Sequence, residues 1–201
     1  MPTSLEAEEN LRIIRSMMEK ATLYRAVSAP GALVAGLSSF AATAFGILTP
    51  PGPNRFFYIW GAVLFLTSIS NLLILRRDAA RRRETFFSAG MRLALQAMLP
   101  ALLGGGLSIL LNPAGGHVAT VALWILFYGI SLLAASHFAP PAIRWLGVVF
   151  FSAAALLFPI GASLHWNFGV DHVWAHALMG ATFGVFHIAY AVLTWPRKGT
   201  L

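Results

Sequence analysis

All six histidines of this 201-residue chain lie in its second half, among long apolar runs. Imidazole nitrogens, together with carboxylate oxygens, are ligands that suit zinc, copper and iron. His172 and His176 are four residues apart, so on a helix they project from the same side, and Asp171 directly precedes them. These three side chains form the candidate metal site.

Haem is the second chemistry that the histidines permit. Two imidazoles on facing helices hold haem iron without a thiolate, and the chain contains no cysteine. His117 or His165 paired with His176 would bracket a haem near one membrane surface, and His187 lies deeper in the last apolar run. The candidate cofactor, haem b or a divalent metal, stays open at this point. Its candidate ligands are His117, His165, His172, His176 and His187.

A plainer interpretation competes with both and is favoured. The imidazoles would be interfacial side chains, hydrogen-bonded to neighbouring helices or to water and holding no ligand. The spacing of His172 and His176 is common by itself, and no glutamate follows His172 to give the His-Glu-x-x-His pattern of zinc hydrolases. No Asp or Glu lies inside an apolar run, which disfavours an ion-driven pump. Catalysis therefore stays open, with a non-catalytic role favoured.

The last apolar run, which begins after Asp171 and ends at Trp195, must position most of these side chains. About 24 helical residues at 1.5 Å each cross the roughly 30 Å of a bilayer core. His172, His176 and His187 fall within about 60° of one another on this helix, and Gly180 and Gly184 share their face. Because ionisable side chains are costly in lipid, we expect this face to meet protein or water.

Composition defines the kind of protein. Hydrophobic residues make up 58% of the chain and charged residues 10%, which is too little charge for the surface of a soluble domain. The sequence predicts an all-α, polytopic membrane protein with six transmembrane helices in three hairpins, preceded by an amphipathic helix. The expected parts are residues 1–28, 29–196 and 197–201. The six apolar segments are Ala29–Leu48, Phe56–Leu75, Met91–Leu111, Val118–Phe138, Ala142–Ser163 and His172–Trp195.

The N-terminal segment is helical but too polar to span a membrane. Thr3 and Glu6 have the spacing of a capping box. Apolar residues then recur at helical intervals among charged ones, namely Leu11, Ile14, Met18 and Ala21. We expect this helix to lie on the inner membrane surface or to pack under the bundle.

Basic residues set the expected topology. With the N-terminus inside, every Lys and Arg except Arg55 falls on the cytoplasmic side, as the positive-inside rule requires. We therefore expect a multi-pass protein of the inner (plasma) membrane with both termini in the cytoplasm. Arg55 would reach the outer interface beside an aromatic cluster. The histidine-bearing turns and helix ends would emerge on the outer side.

One arginine cluster also suggests a partner. It serves as a topology determinant, and it permits binding of anionic lipid or of a cytoplasmic protein. A net charge of +7 would suggest nucleic acid for a soluble protein, but this chain has no room for a folded reader domain. The candidate anionic-lipid residues are Arg76, Arg77, Arg81, Arg82 and Arg83.

Small and polar residues predict how the spans pack, because membrane helices associate through close contact and buried hydrogen bonds. The third span carries polar or small residues at four-residue steps and is expected to be the central helix. The polar core would form around the third, fourth and sixth spans. The residues of the third-span series are Arg92, Gln96, Pro100, Gly104, Ser108 and Asn112.

Three functions remain open. The favoured one is a non-catalytic small membrane subunit or binding module, which packs with itself or a partner and holds a lipid-like ligand. The second is a haem- or metal-binding redox protein that uses the outer histidines. The third is a pore or permease for a small neutral solute, along Ser39, Thr43, Gln96 and Ser108.

Overall fold

The computed structural model describes residues 4–26, 28–52, 54–82, 86, 89–111, 116–163 and 171–195, and its regular elements there are all helical. Six helices are long and apolar enough to cross a membrane, which confirms the predicted polytopic all-α fold. A short 3₁₀ helix, Ser136–Phe138, follows the fourth span, and a π-helical turn, Gly180–Gly184, interrupts the sixth. The α-helices are α1 (Ser4–Ala26), α2 (Ala29–Leu48), α3 (Arg55–Arg82), α4 (Ala89–Leu111), α5 (His117–Ala135), α6 (Pro141–Ser163), α7 (Asp171–Met179) and α8 (Val185–Thr194).

Local sequence explains where the first span begins and ends. The Ser28 side chain accepts a hydrogen bond from the backbone N–H of Gly31 at 3.2 Å, and Pro30 occupies the first turn, where a missing N–H costs nothing. Thr49 ends the helix, and the two prolines that follow it disfavour helical backbone. The first span therefore has the length that its apolar run predicts.

The fourth span, α5, is the central helix. Half of its spanning segment is buried, against 22% for α4 and 6% for α3. It packs along α4 on one side and α6 on the other, and it also contacts α7. The prediction that the third span lies at the centre is therefore wrong.

Geometry explains that error. Residues at four-residue steps drift about 40° around a helix with each step, so a long series leaves the face on which it began. In α4, Gly104 faces the ring of Phe127 and Ser108 is buried, whereas Gln96 and Pro100 are exposed. The series on α4 thus marks a contact with one neighbour only.

Glycines fix the closest helix crossings. A Cβ at Gly129 would lie 2.7 Å from the backbone nitrogen of Phe151, and a Cβ at Gly147 would lie 3.0 Å from Leu133. Residues that rise along α5 therefore meet residues that fall along α6, so the two helices are antiparallel. This close approach of small residues is the usual way in which membrane helices pack.

The first and last spans meet along a second crossing of the same kind. Gly36 lies against Gly184 and Ile188, and Thr43 lies against Gly180. Gly46 lies beneath the imidazole of His176. We call this contact between α2 and the sixth span the first–last seam. It packs the first membrane span against the last one.

The surface of the bundle has the pattern expected of a membrane protein. Exposed leucines and phenylalanines cover α3 and α4, and exposed aromatic side chains mark both ends of the spans. Tyr58 and Trp174 lie at one end, and Trp145 and Trp195 lie at the other. Exposed arginines gather at the second end, namely Arg76, Arg77, Arg81, Arg92 and Arg144.

The N-terminal helix α1 is present as predicted and packs against α4 and the 3₁₀ helix. The side chains of residues 6–17 are exposed throughout. Its position on the membrane surface stays a prediction, and the predicted tail at 197–201 lies outside the described residues.

Candidate functional site

His176 is buried where three helices meet, with 3% of its surface exposed. The indole N–H of Trp60, on α3, donates a hydrogen bond to His176 Nδ1 at 3.1 Å. The Thr43 hydroxyl, on α2, donates to the backbone carbonyl of His176 at 3.1 Å. Gly46 leaves the space that the imidazole ring occupies, because a Cβ there would overlap the ring. The site therefore joins the first, second and sixth spans.

The hydrogen bond from Trp60 decides which ring nitrogen of His176 carries the proton. An indole nitrogen only donates, so Nδ1 must be the unprotonated nitrogen and Nε2 holds the proton in the neutral ring. The lone pair that a neutral imidazole would offer to a metal is already used by Trp60.

Phe56 connects His176 to the start of α5. Its ring centroid lies 5.1 Å from that of His176 and 4.9 Å from that of His117. Trp124 stacks on Phe56 at 5.8 Å and donates its indole N–H to the carbonyl of Gly105 at 3.0 Å. An aromatic cluster thus occupies the space around the two imidazoles, as the packing interpretation of these residues predicts.

His187 lies deeper in the same span and is 7% exposed. Its Nδ1 is 2.8 Å from the carbonyl oxygen of Phe183, and its Nε2 is 2.8 Å from the hydroxyl of Tyr128 on α5. A carbonyl only accepts, so Nδ1 donates, and in the neutral ring Nε2 then accepts from the tyrosine. Phe150, on α6, contacts both rings of this pair.

The π-helical turn explains why the two buried histidines face different helices. A π-helical turn adds one residue to the helix, which rotates everything after it by about 100°. His176 precedes the turn and faces α2 and α3, whereas His187 follows it and faces α5 and α6. The uniform helix assumed from the sequence placed both on one face, and periodicity alone gives no signal of this turn.

The remaining predicted site residues are not brought into a ligand cluster. His172 is half-buried on α7. His165 lies outside the described residues, and so does the side chain of Asp171. Among the residues that the structure describes, no three His, Asp or Glu side chains are arranged to hold a metal ion. Since His176 and His187 both use their lone pairs within the protein, the haem and metal assignments stay predictions.

Most residues of the proposed solute path are hydrogen-bonded to helix backbones. Ser39 donates to the carbonyl of Ala35 at 2.8 Å, and Ser108 donates to that of Gly105 at 2.6 Å. Thr43 is bonded to the backbone of His176, and Gln96 is exposed on the outer surface of α4. Three of these four side chains therefore bond to backbone carbonyl groups, and the solute path stays a prediction.

A shallow groove lies between the C-terminal end of α2 and the N-terminal end of α3. It measures about 470 Å³, is broadly open to its surroundings and has an almost entirely apolar lining. Arg55 supplies its one cationic side chain, whose Nη1 donates to the carbonyl of Pro50 at 2.7 Å while its guanidinium carbon lies 5.9 Å from the ring centre of Phe45. In the sequence, Arg55 beside aromatic residues predicts a side chain anchored at the membrane interface. It does not by itself predict a groove. The lining residues are Phe45, Arg55, Tyr58, Ile59 and Ala62.

Fold and surface together define an integral, polytopic α-helical membrane protein. Comparisons with protein-family models, with curated protein sequences and with solved structures found no match for this chain.

Proposed function

We propose that this protein is a non-catalytic membrane binding module that holds an anionic, lipid-like molecule in the groove between α2 and α3. The observation that supports this function is the pairing of an apolar groove with one arginine at its membrane-surface end. An amphiphile has the matching polarity, with an apolar chain for Ile59 and Ala62 and an acidic head for Arg55.

Arg55 is suited to the acidic head. A guanidinium carries five N–H donors in a planar fork, and carboxylates and phosphates bind such a fork through two parallel hydrogen bonds. The bond to Pro50 uses Nη1 and holds the side chain at the mouth of the groove. Tyr58, which is 72% exposed, stands beside it as an interfacial aromatic residue.

The interior of the bundle supports a binding role over a catalytic one. No buried side-chain nitrogen or oxygen among the described residues lacks a hydrogen-bond partner. Polar groups poised for catalysis usually converge on a cavity that admits a substrate. Here the two buried imidazoles are bonded to Trp60 and Tyr128 within closely packed aromatic clusters.

Native mass spectrometry with oleate and with oleyl alcohol tests the proposal. Oleate binding should weaken about tenfold in Arg55→Gln, about 1.4 kcal/mol, because one charge-assisted contact is lost, whereas oleyl alcohol binding should not change. Ala62→Trp should block both ligands by filling the groove.

The controls place the same changes elsewhere on the surface. Arg144→Gln removes an exposed arginine at the opposite end, and Ala155→Trp adds an indole to an exposed position of α6. Both variants should bind oleate as the parent chain does. Equal binding by all four variants would contradict the proposal.

The arginine-bearing end of the bundle is assigned to the cytoplasm in this proposal, which makes the protein a component of the inner (plasma) membrane with cytoplasmic termini. The exposed side chains of Arg76, Arg77 and Arg81 at the end of α3 support binding of anionic lipid headgroups there. The side chain of Arg82 and all of Arg83 lie outside the described residues.

A further inference from the structure

The first half of α1 exposes an apolar row that the bundle does not cover. Every side chain from residue 6 to residue 17 is exposed. Leu11 and Met17 are each 66% exposed, Ile14 is 53% exposed and Ile13 is 45% exposed. These four residues fall within about 160° of one another around a helix. A contiguous apolar row of this kind on a polar helix indicates a contact surface.

The spacing along α1 is that of a coiled coil. Apolar residues recur at alternating steps of four and three, so their mean interval is 3.5 residues, which is the period of a helix-to-helix seam. Leu11 and Ile14 lie at the middle of this series. Its members in α1 are Ala7, Leu11, Ile14, Met18 and Ala21, of which the first three are exposed and the side chains of the last two lie outside the described residues.

Charge selects the direction of pairing. The exposed part of α1 is acidic at its start, at Glu6, Glu8 and Glu9, and basic after that, at Arg12 and Arg15. Two parallel copies would place like charges side by side. In an antiparallel pair with Leu11 opposite Ile14, Glu8 comes beside Arg15 of the other copy, and this pair occurs twice.

We propose that α1 binds α1 of a second copy of this chain as a short antiparallel coiled coil. One register joins the apolar residues and also brings one oppositely charged pair together. Leu11 lies opposite Ile14 of the second copy, Ala7 lies opposite Met18, and Glu8 flanks Arg15. Each contact occurs twice, as a two-fold symmetric interface requires.

Net charge favours this partner over an anionic membrane surface. Four acidic and four basic residues lie in α1, so its attraction to anionic headgroups largely cancels. The proposal is independent of the groove between α2 and α3. The eight charged residues are Glu6, Glu8, Glu9, Arg12, Arg15, Glu19, Lys20 and Arg25.

Disulfide cross-linking tests the interface in native membranes, because the chain contains no cysteine of its own. Ala7→Cys and Met18→Cys chains, carrying different tags and expressed together, should form a mixed cross-linked dimer on mild oxidation. Ala7→Cys alone should not cross-link, since the two cysteines would lie about 16 Å apart along the antiparallel pair.

A matched control uses the opposite face in the same register. Glu9→Cys with Ser16→Cys has the same axial offset but faces away from the seam, so it should give little mixed dimer. Efficient cross-linking of this pair would indicate random collision, and cross-linking of Ala7→Cys alone would indicate parallel helices. Either result would overturn the proposal, as would a failure of every pair to cross-link.

A charge exchange provides a second test, which uses the same cysteine pair as its readout. In the Ala7→Cys and Met18→Cys background, Glu8→Arg in both chains should reduce the mixed dimer several-fold. Adding Arg15→Glu should restore it, because the pair is then reversed but complementary. Loss of dimer in the double exchange as well would argue against this register.

Discussion

The two buried imidazoles each join helices through an aromatic donor. His176 accepts from Trp60 across to α3, and His187 accepts from Tyr128 across to α5. An unsatisfied polar group in the membrane costs several kcal/mol in an apolar surrounding. Interhelical hydrogen bonds in membrane proteins nevertheless contribute only about 0.6 kcal/mol each on average, and up to about 1.7. We therefore expect the histidines to specify which helices meet more than to add stability.

Trp60→Phe tests the contribution of one such bond. The phenyl ring keeps most of the packing but removes the N–H, so the free energy of unfolding in mixed detergent micelles should fall by about 1 kcal/mol. Nitrogen NMR of labelled histidine should show an unprotonated Nδ1 in His176 of the parent chain.

The control for this variant is Trp174→Phe, which changes an indole that is 60% exposed. It should leave both the stability and the His176 resonances unchanged. A parent chain in which His176 carries its proton on Nδ1 would rule out the bond to Trp60.

Sequence reasoning was partly successful at these residues. The cost of ionisable groups in lipid was enough to predict that His176 and His187 face protein or water, and the structure buries both in protein. Their partners were not predictable, because Trp60 and Tyr128 are far away in the chain and only the folded bundle brings them close. The groove residues were missed for the same reason, since Phe45 and Ala62 come from two different helices.

At the scale of helices, the π-helical turn sets the direction in which the histidine after it points relative to the histidine before it. His176 and Gly180 contact α2, and His187 contacts α5 after the turn, while Ile188 still contacts Gly36 of α2. In a continuous α-helix, His187 would lie about 100° further around the helix and away from Tyr128. Apolar run lengths and turn residues gave the helix bounds well, but they carry no information on a local change of helical period.

Deletion of Ala181 tests this role of the turn. The residue is exposed within Gly180–Gly184, and its removal converts the turn to α-helical geometry while the total rotation between His176 and His187 is kept. The deletion variant should fold, with a loss of no more than about 2 kcal/mol, as measured by thermal unfolding in detergent.

Deletion of Ile130 is the comparison. This residue is also exposed, but it lies in the regular helix α5, so its removal rotates buried Ser131 and Leu132 by about 100°. That variant should not give a monodisperse folded protein. Similar behaviour of the two deletions would show that the turn does not absorb the additional residue.

At the scale of the whole molecule, hydropathy correctly predicted six spans. It did not predict which of the spans is most buried within the bundle. Neighbours in the chain, α4 and α6, flank the central α5. The polar and small residues of the third span predict that it is the central helix. One of those residues, Gln96, is instead exposed at the surface. Which span is central depends on all the contacts together, and no single helix pattern encodes that.

Cysteine labelling tests the orientation of the molecule. Gly52→Cys places a thiol in the exposed turn between α2 and α3, and Ala80→Cys places one in the exposed arginine-bearing end of α3. In intact cells stripped of any outer barrier, a membrane-impermeant maleimide should modify Gly52→Cys at once. It should modify Ala80→Cys only after the membrane is opened, and the reverse pattern would invert the assigned orientation.

The first–last seam has a consequence for biosynthesis. During synthesis, α2 enters the membrane before α7 and α8 have been made. Gly36, Thr43 and Gly46 therefore lack their contacts with the sixth span at that stage. A chain halted anywhere before residue 171 would hold most of its apolar mass in the membrane and yet leave the indole of Trp60 without its acceptor. We therefore expect the packing of the bundle to be completed late, after α7 and α8 have been synthesised.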